Sequence, residues 1–211
     1  MIYDIIEDQS GRILLGTDKG LYYFNGSVFT KISCSTAISP EVHNFQMHSN
    51  GDIYATNFSG QVFVIRNKTI EELDFQVTHF EIGKAHLFGD LLVLSGMGNY
   101  TVYDIAARKQ VETTRLPSKS FRDIDQRADG DWVCLAFGDS LTMTNLAMPL
   151  PCGMGSSIIN WNKELYVLPA LTGLDKVMKL DRDELRCVSN LNFPSNTKLH
   201  GATIWNKDLV V

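Results

Sequence analysis

Cysteine, proline and clustered positive charge are all scarce in this 211-residue chain. The four cysteines, Cys34, Cys134, Cys152 and Cys187, form no CxxC pair, which argues against a zinc ribbon or a thioredoxin-like centre. Cys134 lies inside WVCLAF and reads as a small core residue. Spacing leaves Cys34, Cys152 and Cys187 open as free or paired. The formal charge of −5 is mild and spread out, so no nucleic-acid or membrane-surface partner is expected. No apolar run approaches the roughly 20 residues that span a bilayer. The opening MIYDIIED has neither a basic n-region nor an apolar h-region, so no signal peptide is expected in this chain. Helical periodicity is missing too. There is no G-x-S-x-G elbow, no full calcium-loop pattern, no phospho-accepting histidine motif and no ATP-binding glycine box.

What the sequence does contain is repetition. The chain is 44% hydrophobic, ordinary for a globular protein, and its apolar residues come in short runs just after turns. The units read SGRILLGT, NGDIYATN, FGDLLVLS, DGDWVCLA, NKELYVLP and NKDLVV. Their turn centres are Gly11, Gly51, Gly89, Gly130, Lys163 and Lys207, spaced by 40, 38, 41, 33 and 44 residues. A strand is expected before each turn (Ile2 to Glu7, His43 to Met47, Ala85 to Phe88, Phe121 to Asp125, Ser157 to Trp161, Ala202 to Trp205) and another after the apolar run. In the first unit Asn25-Gly26 predicts a tight hairpin, since both residues tolerate positive φ. Val28 to Ile32 alternates as an edge strand does.

A period near 40 with four strands per unit and no helix predicts an all-β fold, a β-propeller of four-stranded antiparallel blades. The expected blades are residues 1–33, 42–75, 77–117, 120–151 and 157–194, with a half blade at 199–211. Continuous apolar runs such as Leu91 to Leu94 fit strands buried on both faces. A half unit ending at Val211 predicts a fragment of a six- to eight-bladed ring; the alternative is that the half unit closes a smaller one.

Chemistry is thinner. His43 and His200 stand at or just before first strands, where a channel would bring them near Asp4 and Asp123. No ligand pair has metal spacing, so neither metal nor cofactor is expected, and hydrogen-bonded strand histidines are. Asp129-Gly130-Asp131 reads as a turn. Glycosidase work needs two carboxyls about 5 to 10 Å apart in one cleft, which spacing along a chain does not define. Loops between second and third strands collect on one propeller rim. Their aromatics, amides and carboxylates suit a small-molecule or oligosaccharide ligand, because rings stack on pyranose faces and polar groups pair with hydroxyls. The candidate binding residues are Asp18, Lys19, Asn57, Phe58, Asn99 and Asp139. Against this stands packing of Phe58 between blades.

The first unit resembles the two-component regulator propeller repeat. Glu7-Asp8, Gly11, Ile13-Leu14-Leu15-Gly16-Thr17, Gly20-Leu21 and Phe24-Asn25-Gly26 follow that pattern, with Leu14 in place of its tryptophan. Asn50 to Tyr54 and Asp129 to Trp132 follow it loosely. The resemblance implies a non-catalytic ligand-sensing segment on the extracytoplasmic side of a hybrid two-component histidine kinase of the Bacteroidota type, responsive to oligosaccharides. It implies a neighbouring propeller or sandwich domain in the same protein, and a homodimer among the partners. The alternatives are a propeller enzyme (glycosidase or lyase), a protein-interaction scaffold, and a cytoplasmic location.

Overall fold

The turn after the first strand is the same object in three blades. Asp8 N–H donates to Arg12 O and Gly11 N–H to Asp8 O, at 2.8 and 2.9 Å. His48 with Asp52 and Gly51 repeats this at 2.8 and 2.9 Å, and Arg127 with Asp131 and Gly130 at 2.9 and 2.9 Å. Each third position is a glycine with φ of 77°, 92° or 89°, a region a side chain would strain. The sequence period is thus the return of one backbone-bonded turn.

The computed structural model describes residues 1–74, 82–96, 99–111, 121–136, 140–143, 146–150, 155–169, 177–188, 203–205 and 208–210. Among these there is no helix, and so none long and apolar enough to cross a membrane. The chain forms two compact units, Met1–Glu112 and Thr113–Val211.

The first unit holds three antiparallel meanders: β1 (Ile2–Glu7), β2 (Ile13–Thr17), β3 (Gly20–Phe24) and β4 (Phe29–Ile32); β5 (His43–Met47), β6 (Ile53–Thr56), β7 (Val62–Arg66) and β8 (Thr69–Glu72); and β9 (Ile82–Phe88), β10 (Leu91–Gly96), β11 (Asn99–Asp104) and β12 (Lys109–Val111). The second holds β13 (Phe121–Gln126), β14 (Trp132–Ala136), β15 (Ser140–Met143) and β16 (Leu146–Pro149); β17 (Gly155–Trp161), β18 (Glu164–Pro169), β19 (Met178–Asp181) and β20 (Glu184–Cys187); and the pair β21 (Thr203–Trp205) and β22 (Asp208–Val210). Every sheet is in chain order, first strand at one edge and last at the other. First strands lie beside first strands: β1 meets β5, β5 meets β9, and in the second unit β13 meets β17. That convergence makes each four-stranded sheet a radial wedge, a propeller blade.

Burial explains the unbroken apolar runs. In β6, Ile53 and Ala55 join Leu14, Leu21 and Phe45 in a core between the first two blades. Their neighbour Tyr54 turns the other way and packs with Val62, Val64, Leu92 and Leu94 between the second and third. A third core, with Val133, Leu135, Leu141, Ile158 and Val167, joins the two full blades of the second unit. Each fully buried side chain of this size contributes roughly 1.5–3 kcal/mol of transfer free energy.

Two aspartates tie blades together. Asp4 accepts from the backbone N–H of Ile5 and, on the next blade, of Phe45, at 2.9 and 2.7 Å. Asp123 accepts in the same way from Ile124 and, on its next blade, from Ile158, at 3.0 and 2.9 Å. Both stand at a register shift in the first strand. Both carboxylates are held on strand backbone; Asp4 meets β5 two residues from His43, and His200 lies outside the described residues. The Asn25-Gly26 turn also needs correction. Phe24 pairs with Phe29, so the loop has four residues, 25–28. Asn25 Oδ1 accepts from Ser27 and Val28 N–H, and of the two predicted residues only Gly26 takes positive φ, 94°. Two-residue turns with both φ positive occur at Asn67-Lys68 and Asn162-Lys163 instead. Cys34 and Cys187 are free thiols, and Cys134 is fully buried, as a small core residue would be; Cys152 lies outside the described residues.

Candidate functional site

The β6–β7 turn is built by Asn57. Its Oδ1 accepts from Gln61 N–H at 2.9 Å, and its amide nitrogen donates to Gln61 Oε1 at 2.8 Å and to Ser39 O at 3.3 Å. Gln61 in turn receives Ile38 N–H on Oε1 and donates to Thr36 O. The turn is therefore clamped to the segment that joins the first blade to the second. Asn57 is 0% exposed and is spent on this clamp.

Its neighbour is what the clamp presents. Phe58 N–H donates to Glu41 Oε1 at 3.2 Å, and Ser59 Oγ donates to Ser39 Oγ at 2.7 Å. The Phe58 ring is left 48% exposed. It covers the His43 ring at 4.5 Å between centroids, tilted by 35°, and meets Tyr3 edge-on at 5.2 Å. Tyr3, from the start of β1, is 40% exposed. Residues 3, 43 and 58 thus form an aromatic platform on one rim, where β1 and β5 begin. Exposed ring faces of this kind stack on apolar faces of ligands.

Two polar groups complete it. Burial tends to raise the Glu41 carboxyl pKa, but hydrogen bonds from Ser39 and from backbone N–H groups outweigh that and hold it below the ordinary value. It remains an ionised acceptor. His43 is buried with Nδ1 3.3 Å from Thr56 Oγ1, and its buried Nε2 has no hydrogen-bond partner. Burial lowers its pKa, opposed by Asn44 and Glu41. The neutral ring is the one the fold accepts, so the stability it permits is present above the ordinary value of 6.5 and falls as pH drops through it. Thermal melts at about pH 7 and about pH 5 are expected to show a loss in acid that His43→Phe reduces; an unchanged loss in the variant would contradict this.

Of the six predicted binding residues, the structure brings Phe58 to the platform. Asp18 sits half-exposed in the β2–β3 turn, 2.6 Å from the Met1 amino group. Lys19 is exposed beside it, its N–H donating to Thr17 Oγ1. Asn99 begins β11 opposite Gly96, and Asp139 lies outside the described residues. Sequence reasoning missed Tyr3 and Glu41. No local signal marks either; the platform exists only because two blades meet.

No family model matches the chain, and no curated protein matches it. In structure it is similar to the extracellular domain of BT4673, a hybrid two-component system of B. thetaiotaomicron, with a TM-score of 0.73 and 16% identity over 99% of this chain and 30% of that one. It is likewise similar to the extracellular domain of BT3049, a hybrid two-component system of the same organism, with a TM-score of 0.72 and 14% identity over 96% of this chain and 30% of that one. A third likeness is to virginiamycin B lyase from Staphylococcus aureus, with a TM-score of 0.66 and 11% identity over 88% of this chain and 69% of that one. The chain spans 30% of the length of the two extracellular domains. At such identities the likeness is one of fold, and it agrees with the sheets and their convergence: this chain is a partial β-propeller.

Proposed function

We propose that this chain is part of the extracytoplasmic ligand-sensing propeller of a two-component signalling sensor, and that the ligand is an oligosaccharide held without being transformed. The observation that carries the reading is the half-exposed Tyr3 and Phe58 rings beside the ionised Glu41. Rings of this kind take the apolar face of a pyranose, and a carboxylate takes its hydroxyls. The likeness to two extracellular sensor domains supports the same class and the same side of the membrane. Partners of this reading are a neighbouring propeller or sandwich domain of the same protein and a second copy of it.

Calorimetric titration of neutral oligosaccharides into the complete sensor region tests it. A saturable ligand is expected, recovered unaltered, with affinity at least about tenfold weaker in Phe58→Ala, equivalent to about 1.4 kcal/mol. Turnover of the sugar, or binding indifferent to Phe58, would overturn the reading.

A further inference from the structure

On the opposite rim, where first-to-second and third-to-fourth strand turns gather, a cleft of 340 Å³ opens between the first two blades. Its floor is the edge of the interblade core, with Tyr23 almost entirely buried beneath. One end is closed by a latch between blades, in which Gln9 Nε2 donates to Ser49 O at 3.2 Å. A side chain at Gly51 would fall 2.7 Å from Gln9 Oε1, so the glycine keeps room for the latch.

Five ionic side chains line the cleft: Asp8, Arg12, Asp52, Arg66 and Lys68. Asp8 is committed to Arg12, Oδ2 to Nε at 2.6 Å, and Asp52 to Arg66, Oδ2 to Nε at 2.9 Å. Lys68 is left over. Among the described residues no carboxylate pairs with it, and its Nζ stands 4.9 Å from the centre of the Tyr23 ring. The Arg12 guanidinium carbon stands 5.2 Å from the same centre. Two cations therefore converge on one aromatic ring with a single carboxylate, Asp8, between them in the charge count. Cation–π contact keeps them in place over the ring, and Asp8 uses its oxygens on the turn: Oδ1 accepts from Ser10 N–H and Oγ and from Arg12 N–H. Arg66 also reaches Glu71 Oε2 at 3.7 Å, so among the described residues Lys68 is the one cation of the lining with no carboxylate partner.

We propose that this cleft binds the oxyanion of a small molecule, a carboxylate, sulfate or phosphate, with Lys68 and Arg12 as its cationic partners and the Tyr23 ring as the surface beneath them. A guanidinium and an ammonium presented from two sides suit a group with several acceptor oxygens. The site is distinct from the Tyr3–Phe58 platform and does not depend on the sugar reading.

The test is calorimetry on the full chain with glucuronate, inorganic sulfate and inorganic phosphate, and with glucose as the neutral control. At least one anion is expected to bind saturably, any glucose binding is expected to be indifferent to Lys68, and which arm responds names the source of the oxyanion. Lys68→Ala, in an exposed turn, is expected to weaken that binding at least about tenfold while leaving thermal stability unchanged; Phe58→Ala is expected to leave it intact. Absence of saturable binding by all three anions would overturn the proposal. So would anion binding that survives both Lys68→Ala and Lys68→Glu, or glucose binding that Lys68→Ala abolishes.

Discussion

Asp123→Ala is expected to cost the fold roughly 2–6 kcal/mol, read as a lowered midpoint of urea unfolding with an unchanged slope. Asp123 is 1% exposed, and its two oxygens hold the N–H groups of Ile124 and Ile158. Alanine leaves two buried donors without acceptors, each costing roughly 1–3 kcal/mol. It also cuts a direct tie between the first strands of two blades. Asparagine keeps one acceptor and turns an amide donor toward the second N–H, so Asp123→Asn should fall between. Asp4→Ala should cost less. Burial raises the Asp4 pKa against the hydrogen bonds from Phe45 and Ile5, so its ionised form is held against a desolvation penalty. For the same reason the Asp4 contribution is greatest below the ordinary carboxyl value and declines as pH rises through the raised one. A change within about 0.5 kcal/mol for Asp123→Ala, the range of a surface substitution, would contradict the tie.

Gly16→Ala is expected to cost roughly 3 kcal/mol, at the upper end for an added methyl in a packed core. Gly16 pairs with Asp4 in β1 and with Leu21 in β3, on the face turned to the second blade. A methyl there would fall on the Val42 carbonyl, 3.0 Å from the carbonyl carbon and 3.1 Å from Phe45 Cζ. The obstacle is mostly backbone, and Val42 is fixed by its own N–H bond to Thr17 O at 3.1 Å. The two blades must part or the linking segment must move. Circular dichroism melts and denaturant titration read the loss. A variant as stable as the parent would mean that the approach of Val42 to β2 is looser than the structure has it.

Much of this architecture was legible beforehand, and the reason is local. A glycine or lysine able to take positive φ, then three or four apolar residues, is a turn and a strand in any surroundings. Gly11, Gly51, Gly89, Gly130 and Lys163 all take positive φ. Runs such as Leu91 to Leu94 announced burial on both faces, and Val93 and Leu94 indeed point to opposite sides of β10 with almost no exposure. Where two local solutions competed, the reading failed. Asn25 was free to enter a left-handed turn, but its side-chain carbonyl caps Ser27 and Val28 and widens the loop.

The sites were less legible because they are made between blades. Phe58 was chosen as a rim aromatic, yet its partners come from residues 3 and 43. Asn57, adjacent and also expected on the rim, faces inward because the turn needs a side chain to mimic backbone. Lys68 and Arg12 share Tyr23 although 56 residues part them. Contacts of that range leave no trace in spacing, unlike the turn glycines.

Hydrogen exchange on the complete sensor region, with and without the oligosaccharide that calorimetry selects, tests the sensing account most directly. The account predicts slowed exchange at the starts of β1 and β5 and across the β6–β7 turn, with the sugar recovered intact. Protection confined to other segments, or a cleaved sugar in the recovered solution, would contradict it.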